Sequence, residues 1–230
     1  MDKKSILIVG VHRSGTTFLG GKLGKQIGKF ISEPWNSWVH IDSYKASTYP
    51  IDSYISKSDT VIKTFPDQLP INYTGSKLDW LLEVVEYIGV SRTILISRKN
   101  FKEHLTSYTN LMYRVYKHRQ FYKHTGIFDS SLKLPVHSEW REEDIPEWYL
   151  NLKDEEKKNK NDLTKNRDLL FNLSTTIDKK ITWYEDLFGG DREKSLEIIK
   201  SWNFNINENK LNTDLNPKYK KKKSNRTEII

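Results

Sequence analysis

No cysteine occurs at any of the 230 positions, which excludes disulfides, cysteine-ligated zinc and thiol catalysis from these residues. The six histidines, His12, His40, His104, His118, His124 and His137, include no HxxxH pair, so no metal site is expected. A long hydrophobic run is also missing. The apolar stretch after MDKKS breaks off at Gly10, too short for a signal-peptide core and far too short for a membrane span. The expectation is a soluble, cytoplasmic protein. No internal repeat is visible.

Basic charge is what the chain has in excess. Thirty-eight Lys and Arg stand against 30 Asp and Glu, a formal net charge of +8. Such an excess implies an anionic partner, and by itself it does not separate nucleic acid, a phosphate-bearing cofactor and an acidic glycan. The length fits one domain spanning 1–230 with a substantial core. Residues 203–230, which include Lys220-Lys221-Lys222-Lys223, are expected to form a polar basic tail.

Five short β-rich runs are expected as strands: Ser5 to Gly10, Lys29 to Ser32, Thr60 to Thr64, Arg92 to Ser97 and Lys180 to Tyr184. Helical periodicity marks Thr16 to Gly28, Leu78 to Ile88 and Phe101 to Arg119, with a charged stretch from Asp144 to Phe171 that reads as helical in pieces and a final helix from Asp191 to Trp202. Alternating strands and helices predict an α/β fold built on a parallel five-stranded sheet flanked by helices on both faces. Two loop-like segments, Ile41 to Asp59 and Tyr122 to Glu143, are candidates for binding an acceptor substrate.

The densest motif is ILIVGVHRSGTTFL, Ile6 to Leu19. A strand, a glycine-bearing loop and a helix N-terminus make a phosphate cradle, with backbone N–H groups and the helix dipole aimed at an anion. Gly10 and Gly15 have the spacing of the ATP/GTP-binding P-loop, but Thr16 stands where that motif needs Lys. That Lys reaches the terminal phosphates, so its absence argues against ordinary nucleoside-triphosphate chemistry. The basic residue sits three places earlier, at Arg13.

Arg13-Ser14-Gly15-Thr16-Thr17-Phe18 resembles the 5′-phosphosulfate loop of the sulfotransferases that use 3′-phosphoadenosine 5′-phosphosulfate (PAPS). The resemblance implies a P-loop NTPase-like α/β fold, PAPS as co-substrate, no obligatory metal, and a hydroxyl-bearing acceptor such as a carbohydrate, phenol or peptide tyrosine. It places Arg13 beside the scissile linkage, with Ser14, Gly15, Thr16 and Thr17 as N–H and hydroxyl donors. Neither nucleic acid nor a membrane is an implied partner. Secretory members usually carry a membrane anchor, so a bacterial or viral/host cytosolic setting is expected.

Three further segments carry the resemblance in the family's order. Arg98-Lys99 through Thr106-Ser107-Tyr108 resembles the 3′-phosphate motif, a basic residue after a strand with a Ser eight positions on; Lys99 with Ser107 and Arg98 with Thr106 both keep that interval. Ser107 is the firmer member, and Arg98 and Lys99 remain joint candidates. Val61-Ile62-Lys63-Thr64-Phe65 resembles the Lys-Thr-His segment of small-molecule sulfotransferases, but the catalytic His is replaced by Phe65, which takes no proton. Lys63 matches and is implied to contact the sulfuryl group. Glu33, in Ser32-Glu33-Pro34, lies where bacterial and protein-tyrosine members carry a catalytic Glu, and Pro34 favours extended backbone before it. Trp183-Tyr184-Glu185-Asp186-Leu187 resembles the segment whose Tyr lies near the adenine, which makes Tyr184 and, across the ring, Phe18 candidate stacking residues.

The implied set is thus Glu33 as base, Arg13 and Lys63 as charge stabilisers, and Arg13, Ser14, Gly15, Thr16, Thr17, Arg98, Lys99, Ser107 and Tyr184 as co-substrate ligands. Two other classes fit parts of the sequence. One is a nucleotide or small-molecule kinase with a degenerate P-loop, which lacks both the Lys and a strand ending in a Mg²⁺-binding Asp. The other is a non-catalytic polyanion binder, motivated by the charge and the Lys-rich tail.

Overall fold

The computed structural model describes residues 5–35, 59–70, 73–112 and 152–216. Five strands form one sheet: β1 (Ile6–Gly10), β2 (Lys29–Ser32), β3 (Thr60–Thr64), β4 (Thr93–Ser97) and β5 (Ile181–Trp183). Their order is β2-β3-β1-β4-β5 and every pairing is parallel. The helices are α1 (Thr16–Ile27), α2 (Lys77–Ile88), α3 (residues 101–112), α4 (Leu152–Thr176), α5 (Tyr184–Phe188), α6 (Arg192–Ser201) and α7 (Glu208–Leu215).

Side chains alternate across a strand, so the near-continuous apolar runs of β1, β3 and β4 feed two cores. Leu7, Val9, Ile62 and Leu95 join Trp80, Leu81, Val84 and Val85 of α2 and Leu163, Leu170 and Leu173 of α4. Ile6, Ile8, Val61, Ile94 and Ile96 join Leu19 and Leu23 of α1, Ile199 of α6 and Leu211 and Leu215 of α7. Helices therefore cover both faces of the sheet. Gly20 in α1 permits a close approach, because a Cβ there would collide with the Phe30 ring of β2.

Two stretches differ from the sequence expectation. The described part of the charged segment is one continuous helix, α4, which buries Asn159, Leu163, Asn166, Leu170 and Leu173 as a single stripe. The expected tail begins inside the fold: Phe204 and Leu211 are buried, and Asn207 caps α7 by accepting from the Lys210 N–H at 2.9 Å. The tetralysine run lies outside the described residues, as do 113–119 of the third expected helix and all of the two acceptor-segment candidates except Asp59. No helix among the described residues is long and apolar enough to cross a membrane.

An all-parallel sheet brings the C-terminal ends of its strands to one edge. The chain leaves β1 through α1 on one face toward β2, and passes from β3 through α2 on the other face to β4. The crevice outside β1 is therefore where α/β sheets place ligands. The four motifs lie in the last residues of strands or directly after them, at that edge.

Candidate active site

The loop after β1 is held by its own groups and its neighbours. Ser14 is buried, and its hydroxyl donates to the Val11 carbonyl and approaches the Ile96 carbonyl at 3.3 Å, so it serves the loop's internal structure. Arg13 has φ 68 and Gly15 φ 80; alternating left-handed residues of this kind direct successive N–H groups toward one side, as in an anion-binding nest. A Cβ at Gly15 would lie 2.7 Å from Cε2 of Phe188, which adds a steric reason for glycine. Helix α1 starts with no side-chain cap and no acidic residue in its first turn, so its leading N–H groups have no intrahelical acceptor and attract an anion.

Lys63, on β3, is 1% exposed. Its ammonium donates to Thr17 Oγ1 at 2.9 Å and pairs with Glu33 Oε1. Burial pushes the Lys63 pKa down, while the charge and hydrogen bond of Glu33 oppose that shift. The ammonium also lies 4.2 Å from the centre of the Phe65 ring. Glu33 Oε2 accepts from Gln68 Nε2 at 3.0 Å, and the Glu33 N–H donates to the Lys63 carbonyl at 2.8 Å. Glu33 takes φ 55, a left-handed conformation in place of the extended one that Pro34 favours. The backbone bond to Lys63 together with the bonds to both carboxylate oxygens holds it there, against a cost of roughly 1–3 kcal/mol.

The second motif meets the first at Arg13, whose Nε donates to Ser107 Oγ at 3.0 Å. Arg98 and Lys99 diverge. Arg98 Nε donates to the Arg13 carbonyl at 2.8 Å, and its guanidinium lies 4.2 Å from the centre of the Tyr184 ring. Lys99 turns to α5, with its N–H on Glu185 Oε2 at 2.9 Å and its ammonium on Asp186 at 2.7 Å. Burial would raise the Asp186 carboxyl, but hydrogen bonds from Lys194 and Lys99 outweigh it and hold it below the ordinary range. Tyr184 opens α5 and stacks on Phe188, whose ring is 6.1 Å from that of Phe18.

Compared with family models, curated proteins and solved structures, the chain matches none. The geometry within the chain itself ties the candidate residues together. That geometry links Thr17, Glu33 and Lys63 into one group, and Arg13, Arg98, Ser107 and Tyr184 into a second.

Sequence reasoning missed Gln68, which holds Glu33, and His12, which stacks on Phe65 with ring centres 3.6 Å apart and lies 3.5 Å from Asp67. Burial would raise the Asp67 carboxyl, but bonds from His12 and Asn166 bring it down. The sequence gives no pattern for Gln68. For His12, its place between a strand and the glycine loop was the available signal.

Proposed function

We propose that the protein is a P-loop-type sulfotransferase, moving a sulfuryl group from PAPS to an acceptor hydroxyl. The observation that carries this reading is Lys63, a buried cation joining the Glu33 carboxylate to the Thr17 hydroxyl at the mouth of an uncapped helix. Sulfuryl transfer needs those parts together: donors for the phosphosulfate, a cation for charge developing in transfer, and a proton acceptor.

The residues present fit the co-substrate. The leading N–H groups of α1 and the Arg13 guanidinium suit the 5′-phosphosulfate; Ser107, with Arg98, suits the 3′-phosphate, Lys99 being turned to Glu185 and Asp186; and Tyr184, with Arg98 over its ring, is the aromatic candidate for the base. In the reaction the acceptor oxygen forms a bond to sulfur as the bond from sulfur to the 5′-phosphate oxygen breaks. The acceptor proton passes to Glu33, and adenosine 3′,5′-bisphosphate leaves. The Glu33 oxygens are held by Lys63 and Gln68, which fix the carboxylate in place. Lys63 and Arg13 offset the charge that builds on the transferred group and the leaving oxygen.

The kinase reading is weakened by the same lysine, because its ammonium bonds the Thr17 oxygen that such an enzyme uses for Mg²⁺. The test is transfer of labelled sulfuryl from PAPS across a panel of sugar, phenol and tyrosyl-peptide acceptors. Arg13→Ala is expected to abolish the transfer seen with the native protein, and unchanged turnover would remove the first loop from the mechanism.

A further inference from the structure

His104 on α3 is completely buried and has no part in the reaction described above. Its Nε2 lies 2.6 Å from the His12 carbonyl and its Nδ1 lies 3.3 Å from Arg167 Nη1 of α4. A carbonyl can only accept and a guanidinium can only donate. The imidazole is therefore neutral, with the proton on Nε2 and the lone pair on Nδ1. The same Arg167 Nη1 donates to the Arg98 carbonyl at 2.8 Å, and Arg98 Nε in turn holds the Arg13 carbonyl.

These bonds fall on the two peptide planes flanking Arg13 Cα. The His12 carbonyl is fixed by His104 and the Arg13 carbonyl by Arg98, with Arg167 behind both. In a trans peptide the N–H points opposite to the preceding carbonyl, so anchoring the His12 carbonyl also sets the direction of the Arg13 N–H. Arg13 lies in the left-handed region at φ 68, which for a non-glycine residue persists only where the surroundings over-determine it. We infer that His104 and Arg167 are positioning residues of the anion loop, holding Arg13 in its left-handed conformation and thereby aiming its N–H and guanidinium at the ligand.

The inference deepens the sulfotransferase reading, and its test separates the two. Amide exchange at residues 13–15 is followed by NMR in the native protein, His104→Phe, His104→Gln and Arg167→Met. Affinity for adenosine 3′,5′-bisphosphate is measured on the same samples, with thermal midpoints to establish folding. His104→Phe removes the donor and should speed exchange at 13–15 and weaken bisphosphate binding roughly tenfold. His104→Gln can still offer an N–H to the His12 carbonyl, so it should recover to within about threefold of the native affinity. Arg167→Met, at a partly exposed site, acts in the same direction should His104→Phe fail to fold. Unchanged exchange at 13–15 in folded His104→Phe or Arg167→Met overturns the inference. A native protein that ignores the bisphosphate, while its loop exchange still responds to His104, contradicts the sulfotransferase reading and supports this one.

Discussion

Glu33 and Arg13 are both held at positive φ, and both are residues on which the proposed chemistry depends. Backbone strain of this kind concentrates where geometry matters more than local stability. Glu33→Gln keeps the shape but removes the proton acceptor and leaves one oxygen for the two donors Lys63 and Gln68, so kcat should fall at least about 10²- to 10⁴-fold in the sulfuryl-transfer assay; native turnover would remove Glu33 as the base. His104 makes a separate prediction about stability. Burial pushes its pKa down to about 4, with Arg167 and Arg98 adding to the shift and the His12 carbonyl and Glu185 opposing it. The unfolded chain, with an ordinary histidine pKa near 6.5, binds the proton more readily, so stability is full above that pH and is lost as pH falls toward 4. The loss amounts to at most about 3 kcal/mol. It should appear as a falling thermal midpoint over that window, with a shallower fall in His104→Gln.

The elements differ in how far the sequence exposes them. The strands were legible because β1, β3 and β4 are short apolar β-branched runs closed by Gly, Thr or Ser, and their observed bounds differ from expectation by a residue at most. Helix α4 was blurred by Asn159 and Asn166, polar residues that occupy buried positions and interrupt the apolar stripe. Helix α7 was hidden by its Asn and Lys content, although Asn207 as cap and Leu211 and Leu215 one turn apart were its signals. Leu211→Ala tests the docking of α7. A fully buried leucine should cost about 2–5 kcal/mol on truncation, against under about 0.5 kcal/mol for a solvated tail, as read from denaturant unfolding. In the site, Glu33, Lys63 and the glycine loop were legible because they directly follow or end strands. Gln68, His104 and Arg167 were not, because each acts through a contact whose partner is distant in sequence or set by a turn, and no local pattern encodes it.

Over the whole molecule, the parallel sheet gathers loops separated by up to 170 residues or so along the chain onto one edge, and the chain as a whole carries a basic excess of +8, which favours anionic partners. Long-range field alone does not distinguish a triphosphate from a phosphosulfate. In the proposed reading the distinction lies in the lysine-free loop, the Lys63–Thr17 bond and the Arg13–Ser107 pair proposed for a second phosphate. The most direct measurement is calorimetric titration with adenosine 3′,5′-bisphosphate in the absence of Mg²⁺, with ATP and Mg²⁺ as the comparison. The account predicts that the bisphosphate binds without metal and that Arg13→Ala weakens it by about tenfold or more, as expected for loss of a charge-assisted contact. Mg²⁺-dependent binding of ATP with no binding of the bisphosphate would contradict it.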